Sequence, residues 1–221
     1  MAAEKVVQAP RAVSRMVVDA VERQVRELCR RFAERLPFHG WHHVSFVRAK
    51  SVEFAEVNGS DVSAVETAAL VHDVNYIVHR NSSAADGSRL RLEILARAGV
   101  NLLIAEWIDG IVKEAEMAAR HRDISLEAQA LSDGDTLFKA LPVTPVVLAH
   151  RYLAETGVSL RELANKIVGE QQTVHDEGYY FYNPEAAATY TRWAATNLQL
   201  WQCIKESLDD PTVEQLLNAV S

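Results

Sequence analysis

The chain has 221 residues, 48% of them hydrophobic, with only 9 glycines and 6 prolines, so it can bury a real core and is composed for long helices rather than a turn-rich β fold. A net charge of −7, with 23 Lys and Arg against 30 Asp and Glu, argues against a broad nucleic-acid-binding face. Cys29 and Cys203 are far apart, form no CxxC pair and fit a reducing cytosol; no apolar run approaches the ~18 residues of a membrane span, and residues 1–10 read as carrying no secretory signal.

Residues 12–36 read as a helix, with Val13, Val17, Val21, Val25 and Leu28 at helical spacing, then Phe32 and Leu36, and Pro37 ending it. After Phe38-His39-Gly40-Trp41-His42-His43, a second helix is expected from about 41 to 57, turning Val44, Val47, Ser51 and Phe54 inward. Asn58-Gly59-Ser60-Asp61 reads as a turn, and Ser63 with Glu66 suggests a capping box for a third helix. On that helix Val65, Ala68, Ala69 and His72 share a face, and the small alanines admit a close neighbour. Residues 74–86 read as a polar loop, with Asp86 as N-cap of a helix through Leu90, Ile94, Leu95 and Ala98 that Gly99 closes. The next helix carries Ile104, Trp107, Ile108, Ile111, Val112 and Ala115, a stripe that reads as core rather than a base-stacking platform.

Ser125 or Asp123 caps a helix on which Leu131, Asp135 and Phe138 fall on one face, while Asp133 faces elsewhere and is expected to be solvated or to cap. Pro142 and Pro145 mark a joint before a helical segment at 146–153, and Ser159 with Glu162 forms a second capping box. The aromatic turn at 179–182 is expected to pack rather than to clamp a nucleotide. Asn183-Pro184 starts a long helix with the stripe Ala187, Tyr190, Ala194, Leu198, Trp201 and Ile204, and Asp210-Pro211 opens a final one through Leu217. No segment alternates with period two, so the expected class is all-α with about eight or nine helices.

The stretch with the most chemistry is Ala68-Ala69-Leu70-Val71-His72-Asp73. An aspartate ending an apolar run is rarely buried unless paired or bound to a metal. Adjacent helical side chains point about 100° apart, so both can reach one pocket. Taken alone the dipeptide is common, and the plain reading is an ordinary helix end. His43 and Asp135, both on inward faces, change that, because two imidazoles and two carboxylates suit a cation with positions left for water. His39 precedes His43 by one helical turn and could share its face as a supporting or substrate group. His121 would suit an acid or phosphate-contacting role, since imidazole titrates near neutral pH, with a helix-end histidine as the plain alternative. His42, His79, His150 and His175 read as surface or loop residues.

In order, His43, Ala68-Ala69-Leu70-Val71-His72-Asp73 and Ser132-Asp133-Gly134-Asp135 resemble the His…His-Asp…Asp pattern of the HD-domain superfamily of metal-dependent phosphohydrolases, over roughly residues 36–140. The resemblance implies an all-α HD-domain helical bundle with additional C-terminal helices. Residues 1–35 would pack on a metal-binding core at 36–141, and 142–221 would extend the same domain. It implies one divalent ion on His43, His72, Asp73 and Asp135, with Mn, Co, Mg, Zn, Ni and Fe not distinguished. It further implies hydrolysis of a small phosphate ester or nucleotide in the cytoplasm, with no nucleic-acid polymer or membrane as partner and a homodimer as an allowed assembly. Asp73 is the expected water-activating group and His121 the second catalytic candidate. His39, Arg80, Arg120, Arg122 and Lys139 are candidates to contact substrate.

The chain departs from particular branches. Tyr76 stands where the 5′-deoxynucleotidases of the superfamily have a catalytic Glu, and Val74-Asn75-Tyr76-Ile77 lacks the acidic pair of the stringent-alarmone hydrolases. The loop Arg80-Asn81-Ser82-Ser83-Ala84 lacks the Glu that often follows the Asn in the resembling branch. Two alternatives stay open: a non-catalytic regulatory module on the same fold, and a di-iron oxygenase. The latter needs further histidines, and the stretch from Ser82 to Arg120 contains none.

Overall fold

The computed structural model describes residues 12–117 and 123–220, and every regular element among them is helical. The order is α1 (Arg15–Arg31), α2 (Trp41–Asn58), α3 (Val62–Val71), α4 (Asn75–Val78), a 3-10 turn at Ala85–Gly87, α5 (Ser88–Arg97), α6 (Leu102–Ala115) and α7 (Leu126–Ala140). There follow α8 (Thr144–Thr156), α9 (Leu160–Asp176), α10 (Pro184–Ser207) and α11 (Pro211–Val220). The chain divides into two compact units, Met1–Asp135 and Thr136–Ser221, and the division falls inside α7. Among the described residues no helix is long and apolar enough to cross a membrane.

The first unit is built around α3. Every residue from Ser63 to Val71 is buried, and α1, α2 and α6 all pack on this helix. Such a helix cannot show an amphipathic stripe, since it has no wet face. Its polar groups are met by neighbours instead. Asp61 caps it, accepting from the backbone N–H of Ser63 and Ala64, and also takes the Ala12 N–H at 2.6 Å. Glu66, buried, accepts from Arg15 Nη1 at 2.8 Å and from Arg48 Nε at 2.9 Å. Arg48 in turn reaches Glu22 at 3.1 Å, so one carboxylate ties α3 to both α1 and α2.

The structure corrects several expectations. Glu66 is engaged with arginines, so the Ser63/Glu66 box does not form, and Asp61 is the cap. Of the expected stripe Val13, Val21 and Val25 are buried, while Val18 and Cys29 take the inward places expected of Val17 and Leu28. The segment 74–86 is not all loop, because it holds α4 and leads into the 3-10 turn. Asp86 bonds Ser83 there instead of capping α5. Trp107 is 39% exposed, although Ile108, Ile111, Val112 and Ala115 of the expected stripe are buried, with Ala105 beside them. Asp133 is fully buried, neither solvated nor at a helix end.

In the second unit α9 and α10 pack together around Leu163, Ala164, Trp201 and Leu208. The Ser159/Glu162 capping box is complete, and Asn183 caps α10 with Pro184 in its first turn. Tyr180 and Phe181 are buried.

Gly134 fixes how closely α7 approaches α2. A Cβ there would lie 2.4 Å from Ser51 Oγ and 3.0 Å from the Val47 carbonyl oxygen, too close for two helix backbones to absorb. Gly134→Ala should therefore lower stability by ~1–3 kcal/mol, the usual cost of overpacking. Gly110, helical with no atom within 4 Å of a built Cβ, is the control. Gly110→Ala should raise stability by ~0.5–1 kcal/mol. Urea unfolding of both variants checks the pair.

Candidate metal centre

Three separate helical segments deliver the polar cluster. His43 lies in the first turn of α2, His72 and Asp73 follow the last turn of α3, and Asp135 lies on α7 beside Gly134. Gly40, the N-cap of α2, lets the chain turn tightly into this helix, since a Cβ there would sit 2.8 Å from the Leu36 carbonyl oxygen. On α7, the close approach at Gly134 carries Asp135 toward α2 and so toward His43.

The donor atoms converge. His43 Nε2 lies 3.0 Å from His72 Nε2, 2.8 Å from Asp73 Oδ2 and 3.6 Å from Asp135 Oδ1, and His72 Nε2 lies 3.1 Å from Asp73 Oδ2. Ligands held ~2.0–2.2 Å from one ion are ~2.8–3.1 Å apart at right angles and ~3.3–3.6 Å apart at tetrahedral angles. The observed separations fall in those two ranges. His43, His72 and Asp135 form a group that could hold a metal ion, with ligand atoms all within 4.8 Å of one another. The chemistry of the set agrees, since imidazole nitrogen and carboxylate oxygen together suit a borderline divalent cation.

The orientation of His72 is fixed from behind. Its Nδ1 lies 2.8 Å from the Ala69 carbonyl oxygen, so that nitrogen carries the proton and Nε2 faces the cluster. His43 is held by rings: Phe38 stacks on it at 6.0 Å between centroids, and His39 meets it edge-on at 5.5 Å. His39 lies before α2 rather than on it, and its ring stacks on Tyr76 at 3.7 Å and 9°. Its edge-on contact puts it beside a ligand candidate.

Burial and charge divide the cluster. Burial pushes the His43 imidazole down to about 4, against the pull of Asp73, so this ring is neutral. At His72 burial acts in the same sense, but Asp73, Asp135 and the Ala69 carbonyl outweigh it and raise the pKa. Burial opposes ionisation of Asp73, yet His72, His43 and His39 outweigh it and hold the carboxylate well below its ordinary range. The side chains of Asp73 and Asp135 are 15% and 19% exposed, while that of His43 is 0% and that of His72 is 7%. The two carboxylates therefore form the mouth and the two imidazoles the floor.

The other sequence candidates are placed as follows. Arg80 is exposed on the loop after α4, where its carbonyl meets His79 Nδ1 at 3.0 Å. Lys139 lies on α7 in the second unit. Arg120, His121 and Arg122 lie outside the described residues. His150 and His175 are exposed, as is His79, which faces Asp86 at 3.7 Å. Phe38, Gly40 and Gly134 join the candidate ligands in shaping the site. The glycines carried the better signal, each standing within two residues of a ligand candidate or a buried histidine. Compared with protein-family models, curated proteins and solved structures, the chain matches none.

His72→Ala and Asp135→Ala should each abolish stoichiometric metal, read by elemental analysis of the purified chain; full metal content in both would sink the assignment. A second expectation concerns Cys29, whose thiol is pushed up to about 11 by burial and then by the charge of Asp73. The thiolate is the reactive form, so at pH 8 a thiol reagent should modify exposed Cys203 promptly and Cys29 only on unfolding. The linkage follows in sign. The unfolded thiol ionises first, so the stability Cys29 contributes is intact below ~8.5, the ordinary thiol value, and is lost as pH rises toward about 11. Unfolding midpoints across that window check it.

Proposed function

We propose that the chain is a metal-dependent phosphohydrolase of the HD-domain type, acting on a small phosphate ester or nucleotide. The observation that carries the reading is the convergence of His43 Nε2, His72 Nε2, Asp73 Oδ2 and Asp135 Oδ1, from three separate segments, in the order His…His-Asp…Asp. His43, His72, Asp73 and Asp135 would hold one divalent cation. Such an ion supplies Lewis acidity, polarising a phosphoryl oxygen and making water more acidic.

The chain's own residues do the rest. Asp73 touches both imidazoles through Oδ2 and is partly open at the mouth, which suits it to take a proton from the attacking water. The water oxygen forms a bond to phosphorus, the ester or anhydride oxygen leaves with the bond electrons, and that oxygen is then protonated. His43 and His72 close the floor, so water reaches the centre from the carboxylate side. Asp135 completes the shell from a different helix. Arg80, on the exposed loop after α4, is the described candidate to meet phosphate charge, and Arg120, His121 and Arg122 are proposed alongside it. The position held by Tyr76 carries no acid, so the substrate of the 5′-deoxynucleotidase branch is not transferred to this chain.

A panel of phosphorylated metabolites with added Mn²⁺, Co²⁺ or Mg²⁺ tests the reading. Release of phosphate from at least one is expected. A chain that binds metal and turns over none would overturn it and favour the non-catalytic module. On the substrate found, Asp73→Asn should lower kcat by ~10²–10⁴, the scale of a general base, with no rescue by metal. Asp135→Asn should act on metal affinity, and excess metal should restore most of the rate. Equal rescue of both to the parent rate would reduce Asp73 to a ligand.

A further inference from the structure

Beyond Asp73 the chain makes a second buried polar cluster, distinct from the four candidate ligands. Arg91 on α5 is fully buried, an environment a guanidinium tolerates only when paired. Its Nε donates to Asp109 Oδ1 at 2.7 Å, and its Nη2 donates to the Ala84 carbonyl at 2.5 Å. Asp109, on α6, also takes Lys113 Nζ at 2.7 Å and the Ser88 hydroxyl at 3.1 Å. From the other side comes Asn75, buried two residues after Asp73. Its Nδ2 donates to the Ser82 carbonyl at 2.9 Å and reaches Ser82 Oγ at 3.3 Å.

The segment leading into α5 is thus gripped at Ser82 by Asn75 and at Ala84 by Arg91. Gly87 closes the grip. A Cβ there would lie 2.7 Å from Arg91 Nη1, 2.8 Å from Asn75 Cβ and 3.0 Å from Asn75 Cα. Its φ of −80° is open to any residue, so the glycine is required for space and not for backbone freedom.

We propose that Arg91, Asn75 and Gly87 are positioning residues of the candidate metal centre, a buried clamp that fixes the backbone leaving Asp73 and so the direction of its carboxylate against His43 and His72. The proposal rests on reading those residues as a metal centre and does not need phosphohydrolysis. The lever is short. The Tyr76 N–H donates to the Asp73 carbonyl at 3.2 Å and the His79 N–H to the Asn75 carbonyl at 3.4 Å, so a displacement of Asn75 passes to Asp73 within one turn. The Arg91–Asp109 ion pair at 2.7 Å is buried with the clamp. A buried ion pair adds little net stability over a well-packed apolar replacement. What this one supplies is a single path for the chain between α4 and α5.

The test uses the full chain and Co²⁺, whose visible absorption reports coordination geometry. The variants are Gly87→Ala, Asn75→Ala, Arg91→Met and Arg91→Lys, with Leu163→Ala in the second unit as a destabilised control. Gly87→Ala and Asn75→Ala should fold by circular dichroism, bind Co²⁺ ~10-fold or more weakly and show an altered spectrum, the scale seen when groups supporting metal ligands are removed. Arg91→Lys, which keeps the charge and loses the fork, should fall between the parent and Arg91→Met. Leu163→Ala should lower the melting temperature and leave Co²⁺ affinity intact. If the Arg91 variants do not fold, Gly87→Ala and Asn75→Ala decide. Folded variants with parental affinity and spectrum overturn the proposal alone. A parent chain that takes up no Co²⁺ overturns the metal-centre reading and the clamp with it.

Discussion

Polar groups can be withdrawn from water only where something meets them, and that constraint governs the whole first unit. Its central helix, α3, is buried on every side and leads directly into His72 and Asp73. Each polar group along it has a specific answer: Asp61 for the open N-terminus, Arg15 and Arg48 for Glu66, the Ala69 carbonyl for His72 Nδ1. At the far end the answer is different in kind. Two imidazole nitrogens and a carboxylate oxygen meet one another within 3.1 Å, with a second carboxylate oxygen at 3.6 Å from one ring. Such a set has more lone pairs than protons to share among them, and a cation answers all of them at once.

Local rules were legible in the sequence where the partner is local. Gly59 and Gly99 end their helices in the left-handed conformation, Ser159 and Glu162 form their box, and Asn183-Pro184 starts α10. The all-α class follows from periodicity, and the gathering of His43, His72 and Asp135 follows from the order of inward-facing polar residues. What was not legible depends on distant partners. Ser63 and Glu66 have the spacing of a capping box, but arginines from two other helices compete for Glu66 and win, since charge-assisted bonds are the stronger ones. Asp133 sits on the face opposite the apolar stripe, yet α7 is covered there too, so periodicity alone misplaces it. Trp107 continues an apolar pattern at the edge of the buried stripe, where Ala105, Ile108 and Ile111 pack and the indole is left 39% exposed. Arg91 and Asp109 are ordinary surface letters in sequence, and only the fold makes them core.

In this acidic chain most of the buried or half-buried arginines of the first unit are already paired. Arg15 and Arg48 are committed to Glu66 and Glu22, and Arg91 to Asp109, so these cations stabilise the scaffold rather than a substrate. The mouth of the cluster is lined by carboxylates, Asp73 and Asp135. A phosphorylated substrate approaching that mouth meets like charge, at a Coulomb cost that only a cation seated among the same carboxylates reverses. Under the proposed reading the ion is therefore an electrostatic condition for binding as well as a Lewis acid. The stack of Tyr76 on His39 fixes what stands beside it. Where a glutamate would add a further negative charge, this chain places a neutral ring against a buried imidazole. Under the same proposed reading, the side that would face phosphate has fewer acids to overcome, and Asp73 is the group proposed to activate water.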